Sequence, residues 1–228
     1  MSRVQASPHR VSLGARGRAG AALVALAAWA GLVVQFAAVY GRTGSVAATV
    51  WGLLAYFTIM TNLLVAVLGT ALAAGWAAEA GPRLAGGATL AILLVGVVYH
   101  LLLRGLLELS GGDLVADWLL HTATPVLTPL FWLAAVPRGA LTRRDPLAWA
   151  LYPLAYFAYA LVRGGATGRY AYPFLDVAAL GAPRVAGTAV VIALGFLAGG
   201  YALVWLDRRL DRRLDRGRDG APIGGGAA

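Results

Sequence analysis

A few side chains able to do acid–base or nucleophilic chemistry sit inside runs that are otherwise apolar. The stretch FTIMTN carries Thr58, Thr61 and Asn62 at i, i+3 and i+4, which places them on one face of a helix. VVYHLLLR carries His100, and ADWLLHTATP carries Asp117 and His121, again four residues apart. A hydroxyl beside an imidazole is the minimal equipment for acyl transfer. The imidazole takes the hydroxyl proton, a carboxylate orients the imidazole, and a further donor stabilises the oxyanion. Cysteine is absent, so a covalent route needs a hydroxyl nucleophile. Histidine and aspartate are also zinc ligand types, but no HExxH or comparable spacing is present, and neither a metal nor another cofactor is expected. Plainer roles compete with these. Either threonine can bond back to the carbonyl one turn earlier, His100 can serve as an interhelical hydrogen-bonder, and Asp117 can be solvated near the headgroups.

The elements that must position these groups follow from composition. The 228 residues are 60% hydrophobic and only 13% charged, with mean hydropathy +0.72, more apolar surface than a water-soluble globule can hide. Six apolar runs of about 20 residues, enough to cross a bilayer core, fall at Ala19–Tyr40, Val50–Ala74, Gly86–Leu106, Leu114–Val136, Leu147–Val162 and Val185–Leu206. They predict an all-α, polytopic six-helix transmembrane bundle over 19–206, flanked by a basic tail (1–18) and an Arg-rich tail (207–228). The AWA at 28–30 resembles a signal-peptidase site, but the apolar run continues to Tyr40 and is read as a span.

Net charge is +9 and lysine is absent, so all 19 basic residues are arginine. Together with the abundance of Ala, Gly and Val, this suggests a GC-rich bacterial genome. Fourteen of the 19 lie in the two tails, at Arg83 and in the loop holding Arg138, Arg143 and Arg144. That asymmetry orients both termini toward the cytoplasm in a multi-pass protein of the cell membrane. The expected partners are membrane lipids, not nucleic acid. In this topology Thr58, His100 and His121 all lie roughly 9–12 Å below the outer boundary, at about 1.5 Å per residue. LDRRLDRRLDRG (206–217) predicts a helical extension with Arg208–Asp211 and Arg212–Asp215 pairs, and GAPIGGGAA at the end reads as a disordered tail. The outer loop TGRYAYPFLD offers Tyr170, Tyr172, Phe174 and Asp176 as interfacial anchors or as a lid over the site.

Three of these stretches, FTIMTN, WLLHTATPVL and TGRYAYPFLD, resemble the androgen-induced and androgen-dependent six-span membrane hydrolases, and more closely their bacterial, proline-marked six-span relatives. The resemblance extends to span count and spacing over most of the chain. It implies an atypical threonine hydrolase, which in the animal members cleaves fatty acid esters of hydroxy fatty acids, with a threonine in span two and a histidine in span four as the catalytic pair. By motif these roles fall on Thr58 and His121, with Thr61 as the alternative nucleophile. Asn62 follows the threonine by four positions and not three, Pro125 follows the histidine by four and not five, and His100 has no counterpart.

The functional expectation is therefore a threonine-dependent hydrolase of lipid or fatty acid esters. The alternative is a non-catalytic membrane protein or small transporter that binds a lipid headgroup or relays protons through His100 and His121. The arginine asymmetry yields a direct test of topology. A reporter active only in the cytoplasm gives signal when fused after Arg143 or at the C-terminal tail and none when fused at Arg169; signal at Arg169 overturns the assignment.

Overall fold

The computed structural model describes residues 13–76 and 81–219, with backbone only for 214–219. The N-terminal arginines Arg3 and Arg10, His9 and the GAPIGGGAA tail lie outside the described residues. Across the described residues the chain is helical and has no strand. Four helices are long and apolar enough to cross a membrane: Ala15–Thr43, Phe57–Ala74, Gly81–Leu103 and Ala182–Arg213.

Helix α1 (Ala15–Thr43) buries a stripe of small residues, Gly17, Ala21, Ala25, Ala28 and Gly31, the surface that lets helices approach closely where lipid removes the hydrophobic drive between them. It packs most extensively on α3 (Phe57–Ala74). Between them runs the short α2 (Val46–Leu53), capped by the Ser45 hydroxyl accepting the Ala48 amide. The sequence reads Val50–Ala74 as one continuous span, whereas the chain breaks at Leu54–Tyr56. The reason lies on α7 (Asp145–Thr167), whose Tyr156, Tyr159 and Arg163 donate to the carbonyls of Ala55, Leu54 and Trp51. Carbonyls freed by a helix break need donors in an apolar setting. One face of α7 supplies them, and Thr58 thereby falls in the first turn of α3 and not in mid-helix.

Helix α4 (Gly81–Val98) ends in a π turn, Tyr99–Leu103. The next passage runs as α5 (Gly111–Trp118), a π turn at Leu119–Ala123 and α6 (Thr124–Ala135). Pro125 explains the second π turn. It has no N–H to donate, and its ring crowds the carbonyl four residues back. The ladder widens, so that the Thr124 amide bonds the Leu119 carbonyl five residues earlier. The next bond in that register would come from Pro125 to Leu120, and it cannot form. No single α-helix in this passage therefore reaches the length of a span, and α7, though 23 residues long, is studded with tyrosines and carries Arg163.

The chain closes with a 3-10 turn (Pro173–Leu175), α8 (Val177–Leu180) and α9 (Ala182–Asp219). The LDRR repeat continues α9 without interruption, but its carboxylates do not pair as the spacing suggests. Asp207 is buried and accepts the Leu141 amide, and Asp211 packs against Gly139. Arg208–Asp211 is not among the ion pairs of the described residues, and Asp215 belongs to the segment described by backbone alone.

Close approach of α4 to α6 depends on Gly96, where an added Cβ would stand 2.9 Å from Cβ of Pro125. Alanine in a helix interior normally gains up to about 1 kcal/mol over glycine. Here overlap with a rigid ring reverses the sign, and Gly96→Ala is expected to destabilise the fold by about 1–3 kcal/mol, read as a lower unfolding midpoint in detergent.

Candidate active site

Four segments meet around Thr58: the first turn of α3, the π turns of α4 and of the α5–α6 passage, and Tyr172 at the start of the 3-10 turn. The Thr58 hydroxyl lies 3.2 Å from Nε2 of His121. On the other side of the ring, Nδ1 lies 2.9 Å from Oδ1 of Asp117 and 3.2 Å from the Asp117 backbone carbonyl. Both neighbours of Nδ1 are acceptors, so Nδ1 carries the proton and Nε2 presents its lone pair to Thr58. This is the tautomer a general base requires. Thr58 does not bond back along its own helix; its amide donates to the Tyr172 hydroxyl at 3.3 Å, and its hydroxyl lies 3.4 Å from the same oxygen.

Asp117 is held from a second direction. The Tyr99 hydroxyl donates to Oδ2 at 2.5 Å, and the Tyr99 ring stacks on His121 with centroids 4.0 Å apart and planes 13° apart. Each carboxylate oxygen thus has a donor, as a charge withdrawn from bulk water demands. Asp117 and His121 side chains are each 17% exposed, so the pair is neither sealed nor freely solvated. One turn earlier, Asp113 pairs with Arg42 and accepts from Gln35, fastening the C-terminal end of α1 to α5.

Asn62 joins the elements from below. Its side-chain amide donates to the carbonyls of Thr58 at 2.9 Å and Leu120 at 3.2 Å. The second is the carbonyl that Pro125 leaves without a backbone donor. The same contact thus repairs the π turn and sets the position of α3 against His121.

The remaining candidates fall outside this arrangement. The Thr61 hydroxyl lies 3.0 Å from that of Tyr152 and faces no imidazole. His100 is exposed and donates to the Gly96 carbonyl. Adjacent residues on a helix point about 100° apart, and Tyr99 is the one turned toward His121. No group of three metal-binding side chains forms among the described residues. In the loop between α7 and α8, Phe174 stacks on Tyr172 at 5.2 Å, Tyr170 packs against Gly164, and Asp176 caps α8 by accepting the Ala179 amide. Tyr99 and the α7 tyrosines were not singled out from the sequence, where tyrosine near a span end reads as an interfacial anchor. Only the hydroxyl's partner tells an anchor from a donor.

An apolar cavity of about 410 Å³ has Thr58 in its wall, whereas His121, Asp117 and Tyr99 do not line it. No family model matches the chain, and neither curated proteins nor solved structures yield a match.

Asn62→Leu tests the joint between α3 and the π turn. It strips the Leu120 carbonyl of its donor, at about 1–3 kcal/mol for a buried group left unpaired, while the Thr58 carbonyl keeps the backbone amide of its own helix. The expected outcome is a clearly lowered thermal midpoint, with a smaller loss for Asn62→Ser, which retains a donor.

Proposed function

We propose that the chain is a six-span hydrolase of the cell membrane, both ends cytoplasmic, which cleaves lipid or fatty acid esters with Thr58 as nucleophile and His121 as general base. The observation that carries this reading is the Thr58–His121–Asp117 relay, with its proton on Nδ1, at the wall of an apolar cavity. The six-span topology is supported by the arginine distribution and by exposed leucines along the two interrupted or tyrosine-rich passages, Leu114, Leu130, Leu147 and Leu151 among them. An exposed aliphatic surface of that extent suits lipid.

The chemistry is written as two acyl transfers. Thr58 Oγ1 bonds to the ester carbonyl carbon while its proton passes to Nε2, and the carbonyl π electrons move onto oxygen. The Tyr172 hydroxyl accepts the Thr58 amide and so retains its own proton to donate to that oxyanion. Collapse breaks the bond to the alkoxy oxygen, which takes the proton from Nε2 and leaves as an alcohol. Water then attacks the acyl-Thr58 carbonyl, giving a proton to Nε2. A second collapse returns that proton to Thr58 and releases a fatty acid. Throughout, Asp117 stabilises the imidazolium and Tyr99 holds Asp117.

The proton-relay alternative draws less support. Beyond Asn62 the interior is closed by Val65, Ala66, Ile92 and Trp132, and the Thr124 and Thr128 hydroxyls bond to carbonyls of their own passage. His100, the second imidazole that such a relay would use, is exposed and donates to the Gly96 carbonyl.

Purified protein is expected to hydrolyse a long-chain ester and to be labelled by a hydroxyl-directed fluorophosphonate. Thr58→Ala abolishes both, and His121→Ala lowers turnover by roughly 10²–10⁴. Asp117→Asn lowers kcat more than it changes KM, Tyr172→Phe lowers kcat by roughly 10²–10³, and Thr61→Ala is mild. Label that survives in Thr58→Ala but disappears in Thr61→Ala moves the nucleophile by one turn. Folded protein with neither label nor cleavage across a range of acyl chains refutes the hydrolase.

A further inference from the structure

We infer that the cavity beside Thr58 is a binding site for a single acyl chain, reached sideways from the bilayer between α7 and α9. This inference rests on the hydrolase reading for what happens to the ester, but not for what the cavity binds.

Three features of the cavity specify its occupant. First, among its lining residues only Thr58, Tyr156 and Tyr172 carry polar side-chain atoms. These three are neighbours: Tyr172 contacts Thr58, and the Tyr156 and Tyr172 rings are 6.4 Å apart. Everything else is aliphatic or aromatic, including Leu94, Phe157 and Phe196. A ligand matched to these walls has one polar group at one place and an otherwise unbroken hydrocarbon body. A headgroup-sized polar molecule would leave its donors and acceptors unpaired against hydrocarbon.

Second, the space exists because α9 presents small side chains there. Ala186, Ala189 and Ala193 recur at i, i+3 and i+7, one face of the helix, and all three line the cavity. The lining residues of α9 run from Ala186 to Leu197, about 16 Å at the helical rise of 1.5 Å per residue. The lining therefore extends along the helix far enough for an extended hydrocarbon chain.

Third, the mouth is on the lipid side. Leu154 of α7 and Val190 of α9 line the cavity and yet are 52% and 57% exposed on the outside of the bundle. They belong to the aliphatic surface that continues through Leu151, Val191 and Leu194. Tyr172, Phe174 and Leu175 of the outer 3-10 turn also contribute to the wall. Their aromatic rings stack on each other, and they separate the cavity from the outer aqueous face. Tyr172 and Phe174, which the sequence offers as anchors or a lid, contribute to this wall, and an acyl chain arrives from the membrane between α7 and α9.

The test uses Ala193→Phe, which fills the cavity, and Val190→Trp, which obstructs the mouth from an exposed position where folding is least at risk. Each methylene kept out of an apolar site lowers occupancy roughly fourfold, so exclusion of two or three corresponds to roughly 15- to 60-fold. With acyl esters of graded length, both variants are expected to lower the ratio of palmitoyl to butyryl turnover by at least that factor relative to the unsubstituted protein. A readout independent of catalysis uses a palmitate analogue bearing a terminal diazirine, photolysed with Thr58→Ala protein. Crosslinks are expected on α7 and α9 lining residues, displaced by excess palmitate and lost in Ala193→Phe.

The two proposals fail separately. Displaceable crosslinks without any ester cleavage uphold the acyl site and sink the hydrolase. Ester cleavage whose chain-length profile is untouched by either variant, with crosslinks scattered over all lipid-facing helices and not displaced, upholds the hydrolase and overturns the acyl site.

Discussion

Every backbone carbonyl withdrawn from water in this molecule must find a donor, and the chain breaks its helical ladder twice in the region where it keeps its reactive side chains. At Leu54–Tyr56 the freed carbonyls are met by Tyr156 and Tyr159 of α7, with Arg163 taking that of Trp51. At Leu120 the donor that Pro125 lacks is replaced by Asn62 of α3. In each case the repair comes from a neighbouring helix. Satisfying the backbone and fixing the relative position of helices become the same event. Because α3 is held on one side by α7 and on the other by the π turn, the Thr58 hydroxyl has little freedom to be anywhere but beside His121.

The same constraint shapes the chemistry. A threonine in the middle of a helix has a carbonyl one turn back ready to take its hydroxyl proton. In the first turn of α3, Thr58 has the Leu54 carbonyl behind it, and that group is engaged by Tyr159. The hydroxyl turns to the imidazole instead, and the free amide turns to Tyr172. A π turn carries an analogous consequence for His121: it shifts the ring relative to a regular helix and brings it under Tyr99, whose own π turn lies at the facing helix end. Such insertions recur at functional sites because they re-aim one side chain without unravelling the helix.

The relay and the cavity meet at Thr58, and His121, Asp117 and Tyr99 are not among the residues that line the cavity. Proton-transfer groups are gathered from α4 and the α5–α6 passage, and the hydrocarbon-lined space is enclosed largely by α7 and α9. Thr58 and Tyr172 are the hinge between the two regions. That division keeps the charged Asp117 away from the apolar cavity wall, where it would have no donor, and keeps the cavity free of groups that would disfavour a hydrocarbon chain.

The sequence by itself determined that the chain is helical, apolar enough for a membrane, and sparing with polar side chains inside its spans. Because so few were available, residue type and spacing narrowed the candidates to Thr58, Thr61, Asn62, His100, Asp117 and His121, without ranking them. It did not determine which of Thr58 and Thr61 faces an imidazole, that Tyr99 and not His100 turns inward, or that Val50–Ala74 is broken. Those outcomes depend on the rotation and axial offset of one helix against another. Periodicity within a helix leaves both undefined, and a π turn or a break shifts them by a fraction of a turn. Pro125 and Asn62 were each visible in the sequence, but their connection was not: one removes a donor and the other supplies it 58 residues away in sequence from the carbonyl that needs it, a pairing that exists only once the helices are packed.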